Sequence, residues 1–308
     1  MTEISSTTAP PQASNARLMR LATYASVTVA LVLIGAKFWA WLATGSVSLL
    51  STLIDSLLDA AASIINMVAV HHTLQPADKE HRFGHGKAEA LAGLAQAAFI
   101  SGSAMFLLIE AGQRLIQPRE LENTEIGIWV MVISIALTLV LVGFQKYVIK
   151  KTGSVAIGAD SLHYQADLLV NGSVIVSLLL VSQMGFVYAD PLFALGIAAY
   201  IVWGAWQIGM QSLNMLMDRE LPDEDRDKVR DITLAQDGVI DVHDMKTRSS
   251  GSQVFIQLHV EMDGNQTLRQ SHDVAERVMF AVEKAFPNAE VLVHQDPEGI
   301  EERRETFD

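Results

Sequence analysis

Cysteine is absent from the 308 residues, so no disulfide and no thiolate ligand is available. Any metal site must then be built from His, Asp, Glu, backbone or water. Charge is scarce as well. Asp, Glu, Lys and Arg make up 19% of the chain, 50% is hydrophobic, and the mean hydropathy is positive. A soluble domain carries nearer to about 25% charged residues, so the chain reads as a membrane protein. The opening MTEISSTTAPPQASNA, residues 1–16, lacks the basic start and short apolar core of a cleaved signal peptide and reads as a disordered cytoplasmic lead. Neither HExxH nor GxGD occurs, which argues against intramembrane proteases of the zinc and aspartyl types.

What charge there is falls unevenly. Residues 1–217 hold 13 acids against 11 Lys and Arg, whereas residues 218–308 hold 22 acids against 11. A nearly neutral membrane part is therefore followed by an acidic soluble tail, which repels nucleic acid and concentrates cations at its surface. Six apolar spans are expected at roughly 19–43, 47–72, 90–114, 126–146, 154–182 and 188–214, each near the ~20 residues a bilayer requires. Arg17, Arg20, Lys79, Arg82, Lys87, Lys146, Lys150, Lys151 and Arg219 flank one side, and chiefly Arg114 and Arg119 the other. By the positive-inside rule both termini are cytoplasmic. Lys37, near the outer end of span 1, is expected to extend its stem to the interface.

From Asp218 the pattern is that of a small α+β fold. DEDRDKVRDITLAQ reads as a helix, GVIDVHDMKTRSS and SQVFIQLHVEM as strands, TLRQSHDVAERVMFAVEKAF as a second helix and AEVLVHQDP as a third strand. The expected organisation is a six-helix membrane domain over 17–217, an αββαβ domain over 218–300 and a frayed tail over 301–308.

The nine histidines occupy three places. One is span 5. Here His163 and Asp167 are spaced i,i+4, as are Asp55 and Asp59 in LIDSLLDA of span 2, so each pair points one way from its helix. An aspartate near the bilayer centre costs roughly 2.5–3.5 kcal/mol, so two on one otherwise uncharged span require a bound cation or polar partners. At ~1.5 Å per residue, Asp55 and Asp59 lie about 12 and 18 Å below the outer surface, and His163 and Asp167 about 14 and 20 Å above the inner one. These depths coincide across a ~30 Å core. One nitrogen and three carboxylates can then surround a single ion tetrahedrally, a set suited to Zn²⁺. Asp160, nearer the inner end, is read as an interface or entry-path residue.

A second place is DKEHRFGH, where Asp78, His81 and His85 can reach one ion from a turn; the alternative is a wet polar loop, and His71 and His72 are read as interfacial. The third is the tail. Alternation sets His259 on the face opposite Val254, Ile256, Leu258 and Val260, and His294 and Asp296 can share a face. His272 falls in the stripe Leu268, His272, Ala275, Met279, Val282, Phe286, so a packed core histidine and a ligand are both open.

DSLLD and HYQAD on spans 2 and 5, FGHGKAEA opening span 3, and the α+β tail resemble the cation diffusion facilitators, in particular the bacterial zinc and iron exporters. That resemblance implies a homodimer in the bacterial inner membrane with a metallochaperone-like cytoplasmic domain. It implies a transporter, not an enzyme, in which zinc or another divalent ion, cadmium and iron included, leaves the cytoplasm in exchange for protons. It further implies a transport site of Asp55, Asp59, His163 and Asp167, a loop site of Asp78, His81 and His85, and a regulatory zinc cluster of one or two ions from His243, His259, His272, His294 and Asp296. A charge pair between Lys87 and Asp218 at the cytoplasmic face completes the set. The rival class is a passive cation channel, but a four-ligand site holds an ion too tightly for fast conduction.

Overall fold

A computed structural model describes residues 10–45, 47–116, 125–186 and 188–299. The chain divides into two compact units between Leu213 and Asn214. Arg119 and the expected frayed tail at 301–308 lie outside the described residues.

The first unit consists of α1 (Pro10–Thr44), α2 (Val47–Thr73), α3 (Lys87–Ile116), α4 (Glu125–Thr152), α5 (Val155–Met184) and α6 (Ala189–Leu216), whose last residues enter the second unit. All six are long and apolar enough to cross a membrane. At ~1.5 Å per residue even the 27 residues of α2 exceed a ~30 Å hydrocarbon core. Helix α1 starts at Pro10, a residue at home in a helix's first turn, so residues 10–16 of the expected disordered lead are helical. The rest of that lead, residues 1–9, lies outside the described residues.

Local chemistry sets the ends of α5. Gly153 (φ 66°) closes α4, Ser154 caps α5 by accepting from the Ile157 amide, and Gly185 (φ 65°) ends α5 by donating to the Val181 carbonyl. From α3, Glu89 reaches across with Oε1 accepting from the Ala156 amide at 3.3 Å, which places a carboxylate at the positive end of α5. Helix α1 packs on α2 and α4, α4 on α5, and α3 on α2 and α5. Small residues let α6 close in: a Cβ on Gly204 would lie 2.8 Å from both Leu162 methyls. Arg114 ties α3 to α6 through Asp190 at 2.6 Å. Large apolar side chains such as Trp39, Phe106, Val140 and Trp203 stand exposed on the helix exteriors, as a lipid-facing surface requires.

In the second unit α7 (Asp223–Leu234), β1 (Asp241–Ser250), β2 (Gln253–Met262), α8 (Leu268–Ala285) and β3 (Ala289–Pro297) realise the αββαβ order. The sheet runs β1-β2-β3, with β1 antiparallel and β3 parallel to β2. Val242, Ile256, Leu258 and Val260 share the core with Val274, Val278 and Val282 of α8. The buried face of α8 is thus Val274, Ala275, Val278 and Val282, while Leu268 and His272 lie off it. The reading of His272 as a packed core residue is overturned: Ala275, Met279, Val282 and Phe286 of the expected stripe meet the core, but its first turn, with Leu268 and His272, stands clear of it.

Candidate metal sites

In the first unit α2 and α5 bring together three of the four transbilayer candidates. His163 Nε2 lies 2.9 Å from Asp59 Oδ1 and 3.9 Å from Asp167 Oδ2. One ligand atom from each of Asp59, His163 and Asp167 falls within 4.8 Å of the others. Asp55 is outside that group but, one helical turn away, lines the same cavity of about 200 Å³ with Asp59 and Asp167. The walls come from α1, α2, α4 and α5, with Ser134, Thr138 and Asn171 adding polar groups. Edge contacts from Phe99 and Tyr164 fix the His163 ring, at 6.0 and 5.7 Å between centroids.

Lys37 departs from expectation. Its ammonium turns inward, donating to Ser56 Oγ at 2.6 Å and to the Thr52 carbonyl at 3.2 Å, and it lines the cavity beside the aspartates. Because α1 packs along α2, the amine finds a carbonyl and a hydroxyl of the neighbouring helix within reach. Asp160 departs too. At 1% exposure it is an interior group, accepting from Ser26 Oγ at 2.6 Å, Gln145 Nε2 at 2.8 Å and Ser63 Oγ at 3.2 Å. Tyr164 continues the network to the Ser26 carbonyl at 3.1 Å and to Ser63 at 3.0 Å. The carboxylate therefore knots α1, α2, α4 and α5 together one turn from the candidate ligands Asp59 and His163.

All three loop candidates converge. Asp78 accepts the amides of Glu80 and His81 through Oδ1 at 2.9 and 2.6 Å, and its oxygens lie 3.4 Å from His81 Nδ1 and from His85 Nε2. The His81 amide above all holds the Asp78 carboxyl below the usual carboxylate range. The two imidazole rings lie 4.6 Å apart between centroids, tilted 46° to each other. His71 and His72 stand apart, at the end of α2, beside Arg20 and Tyr24.

In the second unit the strand register aligns His243 with His259 and His259 with His294, a row of three imidazoles across the sheet. Asp296, 5% exposed, serves all three: Oδ2 lies 3.2 Å from His243 Nε2 and 2.9 Å from His259 Nδ1, and Oδ1 lies 3.0 Å from His294 Nε2. Within one chain His272 is not part of this cluster; its Nε2 lies 3.6 Å from Glu276 on α8. Lys87 opens α3 in the first unit, and Asp218, at φ 55°, accepts from Arg248 at 3.4 Å in the second. Arg248 is a partner the sequence does not suggest.

Comparison with known proteins fits this arrangement. The family model described as the cation efflux transmembrane domain matches residues 23–217, and that of the cation efflux protein, cytoplasmic domain, matches 221–298. Over 285 residues the chain is 48% identical to the cation-efflux pump FieF of Yersinia enterocolitica, a match covering 92% of this chain and 95% of the relative. It is 49% identical over 282 residues to the cation-efflux pump FieF of Pectobacterium atrosepticum, covering 92% and 94%.

Proposed function

The chain belongs to the cation efflux family, and from that membership and the transbilayer geometry we propose that it exports divalent metal ions, zinc foremost, in exchange for protons. The observation that carries the reading is the Asp59–His163 contact. At 2.9 Å from an Asp59 oxygen, His163 Nε2 shares a hydrogen with the carboxylate. To bind a metal through the same nitrogen the ring must give up that hydrogen, to solvent or by shifting it to Nδ1, and a fully protonated ring has no lone pair to offer, so protons and metal compete for the site. Asp59, His163 and Asp167 supply three ligands, and Asp55, across the same cavity, supplies the fourth. Three carboxylates with one imidazole suit zinc and leave cadmium and iron as further cargo. The Lys37 ammonium brings positive charge to the cavity and opposes the incoming cation.

The basic flanks orient the protein with both termini in the cytoplasm of a bacterial inner membrane. Metal then enters from the cytoplasm and protons from outside, so the proton gradient drives export. The loop triad receives metal at the cytoplasmic face, and the second unit acts as a dimerisation and metal-sensing module. Its 22 acids against 11 bases make two such tails repel each other until ions bind.

Transport assays on variants test the assignment. Asp55→Ala, Asp167→Ala and His163→Ala are each expected to insert and fold yet fail to move zinc. Near wild-type transport by any of them contradicts it. A channel would show zinc conductance that ignores the pH gradient.

A further inference from the structure

Two rows of chemistry cross the cytoplasmic sheet side by side. Beside the row of histidines runs a row of acids, because the same register sets Asp241 opposite Glu261 and Glu261 opposite Asp296. Positions i and i+2 of a strand share a face, so the acid row lies on the face that carries the imidazoles. Like charges directly opposite across a sheet destabilise it unless a cation stands between them. Asp296 is accounted for by the histidine cluster; Asp241 and Glu261 are not.

His243 provides the second observation. It is 8% exposed, its Nε2 lies 3.2 Å from Asp296, and neither ring nitrogen makes a hydrogen bond. One ligand atom from each of Asp241, His243 and Glu261 falls within 4.8 Å of the others. Glu261 also accepts the Gly299 amide through Oε1 at 3.2 Å, which ties its carboxylate to the end of the domain.

We propose that Asp241, His243 and Glu261 form a separate divalent-cation site on the edge strand, adjoining the histidine cluster. Its two carboxylates and single imidazole accept Mn²⁺ as well as Zn²⁺, whereas the imidazole-rich cluster beside it favours zinc, which makes Mn²⁺ the discriminating probe. A neutral imidazole offers one lone pair, so the two sites share His243 without both using it at once. This site stands independently of the transport reading.

The test is equilibrium Mn²⁺ binding to the full chain in detergent, with the neighbouring cluster disabled by His259→Ala and His294→Ala. In that background, adding Asp241→Asn and Glu261→Gln is expected to remove one bound Mn²⁺ per protomer. Glu261→Gln alone, which keeps the shape of the side chain, is expected to weaken that ion about tenfold while the thermal midpoint stays within a few degrees. Unchanged Mn²⁺ stoichiometry and affinity in the double carboxylate variant overturns the proposal.

Discussion

Asp59→Asn probes the transbilayer site with little change of shape. Without metal, the amide oxygen still accepts from His163 Nε2, which in the parent chain lies 2.9 Å from a carboxylate oxygen, but a charge-assisted hydrogen bond becomes a neutral one. That costs the metal-free state about 1 kcal/mol. The loaded state loses more. Coulomb's law puts about 4 kcal/mol between a unit charge and a divalent ion ~2 Å away even at the dielectric of water. The difference, about 3 kcal/mol, corresponds to roughly a 100-fold weaker zinc affinity at this site. Zinc titration of the reconstituted protein, with the loop and cytoplasmic ligands intact, should show one class of site weakened by that factor, and transport should fall with it. A zinc affinity within threefold of wild type would refute the reasoning, since the carboxylate would then not contact the ion.

Other expectations follow from the same geometry. Lys37→Met removes the ammonium from the cavity and should strengthen zinc binding there several-fold while slowing release, read by the same titration and by initial flux. Asp296→Asn alters the one carboxylate serving His243, His259 and His294. By the same Coulombic reasoning it should weaken the cytoplasmic cluster at least ~100-fold and leave the transport site able to bind zinc. For the loop, the folded Asp78 carboxyl titrates below its unfolded value, so its contribution to the turn is full above the unfolded value near ~4 and is lost only as pH falls through the lowered one. Asp78 protonation should therefore not release loop-bound zinc near neutral pH, as a pH series of zinc binding will show, whereas His81→Ala and His85→Ala together should abolish that binding. Val278→Ala, at a fully buried position of α8, should cost the second unit about 2 kcal/mol, seen as a lower thermal midpoint.

Much of this is legible in the chain. Aspartates spaced i,i+4 in an otherwise uncharged span, with a matching histidine and aspartate three spans on, identify depth and direction, and the helices put Asp59, His163 and Asp167 together. The alternation of β2 separates His259 from the core side, in keeping with the burial of Ile256, Leu258 and Val260. What spacing cannot supply is the identity of the neighbour across a helix face. Depth alone sends Lys37 to the interface, yet α2 beside it offers Ser56 and Thr52. Asp160 looks peripheral in sequence because its four-helix environment of Ser26, Ser63, Gln145 and Tyr164 is scattered over more than a hundred residues. On α8 two overlapping stripes of apolar residues are available, and packing against the sheet adds Val274 and Val278 to Ala275 and Val282 while leaving Leu268 and His272 outside. The acid row of Asp241, Glu261 and Asp296 depends on strand register, which no single strand reveals.

The most direct test of zinc–proton exchange is the luminal pH of sealed vesicles holding the purified protein, recorded while zinc is added outside. Zinc entry should make the lumen alkaline in step with uptake, an imposed pH gradient acid inside should accelerate uptake, and both responses should vanish in His163→Ala. Zinc uptake with no movement of protons, at a rate indifferent to the gradient, would contradict the exchange and leave a metal-selective pore.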